Sequence, residues 1–142
     1  MALSGHGSTL GFGTTTTFSP GYTSIGGWGL SRESLDTSTL ATTGARTKIG
    51  GDLYDIEPFT SSYFLDPDTL ATTEANAIDD LLFDSGAVSA SETVTITFPN
   101  SGAATAAGAA HVTGWNIEDL VTDKLIVCSI TTQFNDWPTI AE

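Results

Sequence analysis

Basic residues are scarce: four lysines and arginines stand against 17 aspartates and glutamates, for a net charge of −13. A chain so charged cannot neutralise phosphates and release their counterions, which excludes stable nucleic-acid binding as its function. Cysteine occurs once, at Cys128, so neither an internal disulfide nor a cysteine-based zinc site is available. No apolar run reaches the roughly 18 residues of a membrane span. The start, MALSGHGSTLGFG, has neither the basic n-region nor the apolar h-region of a secretory signal, so neither membrane insertion nor Sec-type secretion is expected. Charged residues make up only 15% and hydrophobic ones 39%, a balance that folds rather than staying disordered. At 142 residues there is room for one domain with one core, and a multidomain enzyme is excluded.

What is plentiful is small and polar. Threonine favours strands and glycine punctuates them, so the composition leans towards β structure. From Thr9 to Phe18 the residues Leu10, Phe12 and Phe18 share one parity, the period of a strand that Ser19-Pro20-Gly21 ends. Tyr22, Ile25, Trp28 and Leu30 mark an irregular second strand interrupted at Gly26-Gly27. Residues 36–50 hold few apolar anchors and many turn formers, which predicts a long polar loop. Between Asp52 and Leu65, Tyr54 and Ile56 have one parity while Phe59, Tyr63 and Leu65 have the other, so a bulge or bend is expected near Pro58. Beyond the turn Asp66-Pro67-Asp68, the spacing of Ala75, Ile78, Leu81 and Leu82 predicts one helix over 73–84. Thr73 is its expected cap, and Glu74 complements its dipole.

Strands return in the last third. Val94, Ile96 and Phe98 alternate with Thr93, Thr95 and Thr97 as a half-buried strand. The parity of Ala109 to Ile117 changes around Gly114, which predicts another bulge. Glu118 to Asp123 turns the chain, and Lys124 to Phe134 closes the domain with Ile126, Cys128, Ile130 and Phe134 on one parity. The whole reads as one mainly β domain over 1–142, an antiparallel β-sandwich or open barrel with one flanking α-helix and a long polar loop. Residues 1–8 are expected to form a flexible N-terminal arm.

No catalytic constellation emerges. Cys128 lies in the apolar run LIVCSI, where cysteine is an inert small hydrophobe. His6 and His111 form no short-spacing metal pair. Asp66 and Asp68 lack the rest of a calcium loop, and GSTLGFG lacks the lysine of a phosphate loop. The adjacent acids Asp79-Asp80 and Glu118-Asp119 diverge rather than converge. Neither cofactor nor metal is expected, and a small hydrolase is disfavoured because no nucleophile and base can be named. Trp28, Trp115 and Trp137 leave open a carbohydrate-binding β-sandwich that stacks sugars on exposed rings. The charge is also lopsided. Residues 1–50 hold Arg32, Arg46 and Lys48 against Glu33 and Asp36, net +1, so the remainder carries −14 of the total −13. Such asymmetry suits packing of one copy against the next.

The segment RESLDTSTLATTGARTKIGGDLYDIEPFTSSYFLDPDT, Arg32 to Thr69, resembles the central signature of long-tailed phage tail tube proteins. The element Leu35-Asp36-Thr37-Ser38, the loop Thr39 to Ile49, the strand start Gly51-Asp52-Leu53 and the acidic turn Asp66-Pro67-Asp68 follow the family's order. So do the threonine-alternating strand to Pro99 and the run Val112 to Glu118. Gly50 stands where the family pattern has proline. The resemblance implies a structural virion protein of the phage tail, made in the host cytoplasm. It further implies hexameric rings that stack into a tube for DNA ejection, with tape-measure and tail-terminator proteins as partners. On that reading Asp55 and Glu57, on the parity opposite Tyr54 and Ile56, are expected at the lumen, and the loop with Arg46 and Lys48 at the ring-to-ring contact. An acidic lumen repels phosphates and lets DNA slide without adhering.

Overall fold

The computed structural model describes residues 4–13, 18, 20–83 and 92–142. Its main body is a seven-stranded antiparallel sheet built from β1 (Thr9–Gly11), β2 (Tyr22–Ile25), β5 (Phe59–Phe64), β6 (Glu92–Thr97), β7 (Thr105–Ile117), β8 (Val127–Phe134) and β9 (Thr139–Ala141). The order is β1-β6-β7-β8-β5-β2, with β9 pairing the first residues of β7 beyond the end of β8. The two edge strands, β1 and β2, come into contact without a ladder between them, so the sheet curls into an open barrel. A separate two-stranded sheet, β3 (Leu30–Asp36) with β4 (Lys48–Ile56), forms a long hairpin.

Alternation decides which side chains enter the core. Leu10, Val94, Ile96, Cys128, Ile130 and Phe134 are buried at the expected parity, and Phe12 and Phe18 join them. In β5 the inward face is Phe59, Ser61 and Tyr63. Aromatic edges lock the centre: Phe134 meets Trp28 at 5.5 Å and Phe59 at 5.7 Å, while Phe18 stands edge-on to Tyr63 at 5.5 Å. The expected bulge in β7 falls between Val112 and Gly114, where the register with β8 shifts.

Several elements differ from their sequence-based outline. Phe98, expected inward, falls just past the end of β6 at the turn that its N–H closes on the Ala104 carbonyl, and is exposed there. Pro58 does more than bend a strand: it separates β4 of the hairpin from β5 of the main sheet. The expected loop over 36–50 is present over 37–47, with its first residue and last three taken into the hairpin strands, where Asp36 pairs with Lys48. The helical segment begins at Pro67, where Asp66 accepts the Asp68 N–H as the N-cap, so Thr73 caps nothing. Only Ala75–Ile78 is a regular α-turn (α1), flanked by π-turns over Leu70–Glu74 and Asp79–Phe83. The wider π-turns rotate the buried face, so Glu74, Ala77 and Leu81 go inward while Ala75 is exposed. Residues 1–3, 14–17 and 84 lie outside the described residues, and with them parts of the expected arm, first strand and helix end.

Removing Phe134 tests this core. Phe134→Ala should lower stability by about 3–5 kcal/mol, read as a lower urea midpoint at unchanged slope, whereas Phe83→Ala on the exposed face should shift it by less than about 0.5 kcal/mol. Equal effects of the two would show that the aromatic cluster is not the core.

Candidate functional site

The hairpin is the part of the molecule that lacks a core of its own. Along β3 only Leu30 is even half-buried, and along β4 only Gly51 is buried and Ile56 half-buried. A two-stranded ribbon without a covered face is marginal in water. It is held to the body at its root, where Gln133 Nε2 donates to the Ile56 carbonyl and Tyr54 packs in a T-shaped pair with Trp137 at 5.2 Å, and its own ladder is closed there by Glu57 N–H to Gly29 O at 2.9 Å. Arg32 braces it across the strands. Its guanidinium lies 5.2 Å over the Tyr54 ring and its Nε donates to the Gly51 carbonyl. A Cβ on residue 50 would sit 2.6 Å from Arg32 Nε, so Gly50 is needed for the guanidinium to cross there.

Asp55 and Glu57 are both exposed near the root, Asp55 opposite Ser31 in the ladder. Leu53 shares the outward parity with them and is also exposed. Arg46 and Lys48 are at the other end of the hairpin, with about 23 Å of β4 between Lys48 and Asp55. The two sets are therefore not one site. Arg46, 77% exposed, pairs with Asp36 at 3.1 Å, and Asp36 also accepts the Ser38 N–H at 2.9 Å. The Ser38 backbone and hydroxyl, more than Arg46, hold the Asp36 carboxyl below its ordinary range. The 37–47 turn is further closed by Thr37 N–H to Thr47 O and Thr47 N–H to Ser38 Oγ.

The remaining candidates of the sequence fall into structural places. Cys128 is fully buried, and burial pushes its thiol up, away from a thiolate. Burial likewise raises the Tyr22 and Tyr63 phenols. Trp28 packs on Phe134, and Trp115 is half-buried with its Nε1 donating to the Tyr63 hydroxyl at 3.0 Å. Neither ring is a free platform for a sugar; Trp137, half-exposed, has one edge taken by Tyr54. Among the described residues no group of three or more His, Cys, Asp and Glu side chains is placed to hold a metal, and no helix is long and apolar enough to cross a membrane.

No family model matches the sequence, and no curated protein matches it. Solved structures share its fold over nearly its whole length. A chain in the sheath/tube terminator of an extracellular contractile injection system (PVC), in the extended state, matches with TM-score 0.76 at 14% identity, covering 100% of this chain and 98% of that one. A chain in the tail of the empty GTA particle, refined with C6 symmetry, matches with TM-score 0.69 at 14% identity over 99% and 100%. A chain of the SPP1 tail tube matches with TM-score 0.62 at 14% identity over 99% and 80%. The open, hairpin-bearing barrel is thus a fold found in phage-tail and injection-system tube assemblies.

Two measurements check the local chemistry. Because the folded Asp36 carboxyl is depressed, its turn contacts are complete above the ordinary aspartate value of 3.8 and are lost as pH falls through the lower folded value. The Ser38 amide signal should therefore hold steady from neutral pH down to about 4 and move only below it; a midpoint above 4 would contradict the bond. Native protein should leave Cys128 unmodified by a thiol reagent for hours and yield one thiol per chain once denatured.

Proposed function

We propose that this chain is a structural subunit of a phage-tail-like tube, assembling with copies of itself into rings that stack around an acidic channel. The observation that carries the reading is whole-chain similarity to tube and terminator structures from three separate systems, at TM-scores of 0.62 to 0.76. Six-fold symmetry in the GTA tail and in an anti-feeding prophage baseplate, whose chain also matches, supports hexameric rings. The fold suits that role physically. Edge strands β1 and β2 and an uncovered hairpin leave backbone groups and apolar side chains that neighbouring subunits satisfy.

On this reading the protein is non-enzymatic and belongs to the phage tail, produced in the host cytoplasm, with tape-measure and tail-terminator proteins as further partners. Asp55 and Glu57 line the lumen, where their charge keeps phosphates from adhering while DNA is ejected. Arg46 and Lys48, exposed at the hairpin tip, serve the contact between rings.

Electron microscopy of the concentrated protein across a range of salt is the direct test, with rings or hollow tubes as the expected product. A reconstruction should put Asp55 and Glu57 on the channel wall; both residues on the outer surface or sealed between subunits would overturn the lumen assignment. Persistent monomers at every salt and concentration, with tryptophan fluorescence responding to added sugars, would replace the tube reading with the carbohydrate-binding one.

A further inference from the structure

Leu40, at the tip of the hairpin, is fully exposed, an unusual place for a large aliphatic side chain amid threonines. The turn that carries it is ordered by its own bonds: Thr42 N–H donates to Thr39 O at 3.0 Å, and Thr39 N–H donates to Thr42 Oγ1 at 2.8 Å. Leu40 is therefore held out by a built turn. The same end of the hairpin carries Arg46 and Lys48, two of the four cations of the chain. The tip is an apolar knob with a positive flank.

A matching hollow exists at the far end of the barrel. The end of β7, the start of β8 and the turn between them enclose an open groove of about 560 Å³ lined by Ile117, Val121, Leu125 and Val127, with Glu118 and Asp119 on its wall. Lys124 also lines it, and Asp123 lies next to that lysine in the chain, so acids outnumber cations there. Ile117, Val121 and Leu125 are exposed, as is Leu120 on the same turn. The groove is set by register: Ile117 faces Cys128 across the ladder, and Glu118 N–H donates to the Val127 carbonyl at 2.9 Å.

Knob and groove do not meet within one chain: Leu40 is fully exposed, and no hairpin residue lines the groove. The hairpin root adjoins Phe59, paired with Thr132, whereas the groove adjoins Phe64, paired with Val127 and followed by Leu65 bonded to Ile126. These are opposite ends of β5, about 20 Å apart. We infer that the Leu40 tip of one copy seats in the Ile117–Val127 groove of a copy in the next ring, with Arg46 and Lys48 meeting Glu118 and Asp119. This rests on the tube reading and adds the receptor that reading leaves open. A contact between two different patches of the same chain is heterologous, and repeated along an axis it builds an open stack. Its apolar part is indifferent to salt, while its exposed ion pairs are screened by it.

The test uses the full chain with Leu40→Cys and Val121→Cys together, both at exposed positions that leave the core untouched. Mild oxidation of assembled tubes should convert the double variant into a ladder of covalent multimers, while each single variant stops at dimers or stays monomeric. In parallel, Glu118→Lys with Asp119→Lys should shorten tubes at least tenfold at low salt, and adding Arg46→Glu with Lys48→Glu in the same chain should restore them. Tubes from the unmodified chain, no ladder from the double cysteine variant and full-length tubes after charge reversal would overturn this contact and leave the tube reading standing. Failure of the unmodified chain to form rings or tubes at all would overturn both.

Discussion

A β-hairpin with no covered face cannot hold itself together, and the rest of this molecule is arranged around that constraint. Strands β3 and β4 bury almost nothing, and a ribbon of that kind sits near the limit of stability in water. The body of the protein supplies anchorage at the root through Gln133 and Trp137. Within the ribbon, Arg32 lies over Tyr54 and bonds the Gly51 carbonyl, replacing the missing sheet on one side. These devices orient the hairpin without covering it. Leu35, Ile49 and Leu53 remain exposed, and a second copy is the surface that the proposed tube brings to them.

The body was legible because its strands bury one face. Val94 and Ile96, then Cys128, Ile130 and Phe134, alternate with polar neighbours because water lies on the other side, and the structure buries those residues. The β7 bulge was legible for the same reason: inserting a residue swaps the faces, and the parity change at Gly114 records it. The hairpin had no such signal. With no buried face its sequence has no reason to alternate, so residues 31–35 were given no strand, 48–50 read as loop and the division at Pro58 read as a bend, while the loop itself stands over 37–47. The helix start was hidden because π-turns break the 3.6-residue spacing on which the expectation over 73–84 depended. Strand β9 is three residues long and fully exposed, too short to leave a pattern.

The candidate site divides along the same line. Arg46 and Lys48 stand out in the sequence only because cations are scarce. The groove could not be picked out, since Ile117 and Val127 come from separate strands and only the ladder register sets them side by side. Nor could Arg32's brace, which depends on a cross-strand neighbour and on the absent side chain of Gly50. Sequence reports one-dimensional periodicity well and reports juxtaposition only where a motif fixes the spacing.

Charge sets the final condition on assembly. Copies carrying −13 each repel one another, so any contact between them must place apolar area or the few cations where repulsion would otherwise win. Lys124 lies in the acid-walled groove, and Arg32 is committed to Tyr54 inside the hairpin. Arg46 and Lys48 are left at the tip end of the hairpin, which also carries the exposed Leu40. Arg46 is already shared with Asp36, so its bond to a neighbour trades one carboxylate for another and adds little net energy, as exposed pairs do. Such a pair fixes orientation and register, while the buried leucine supplies the affinity. In the proposed stack that division would let charge set the angle between copies and apolar contact hold it, with the acids at the hairpin root taking no part in the contact.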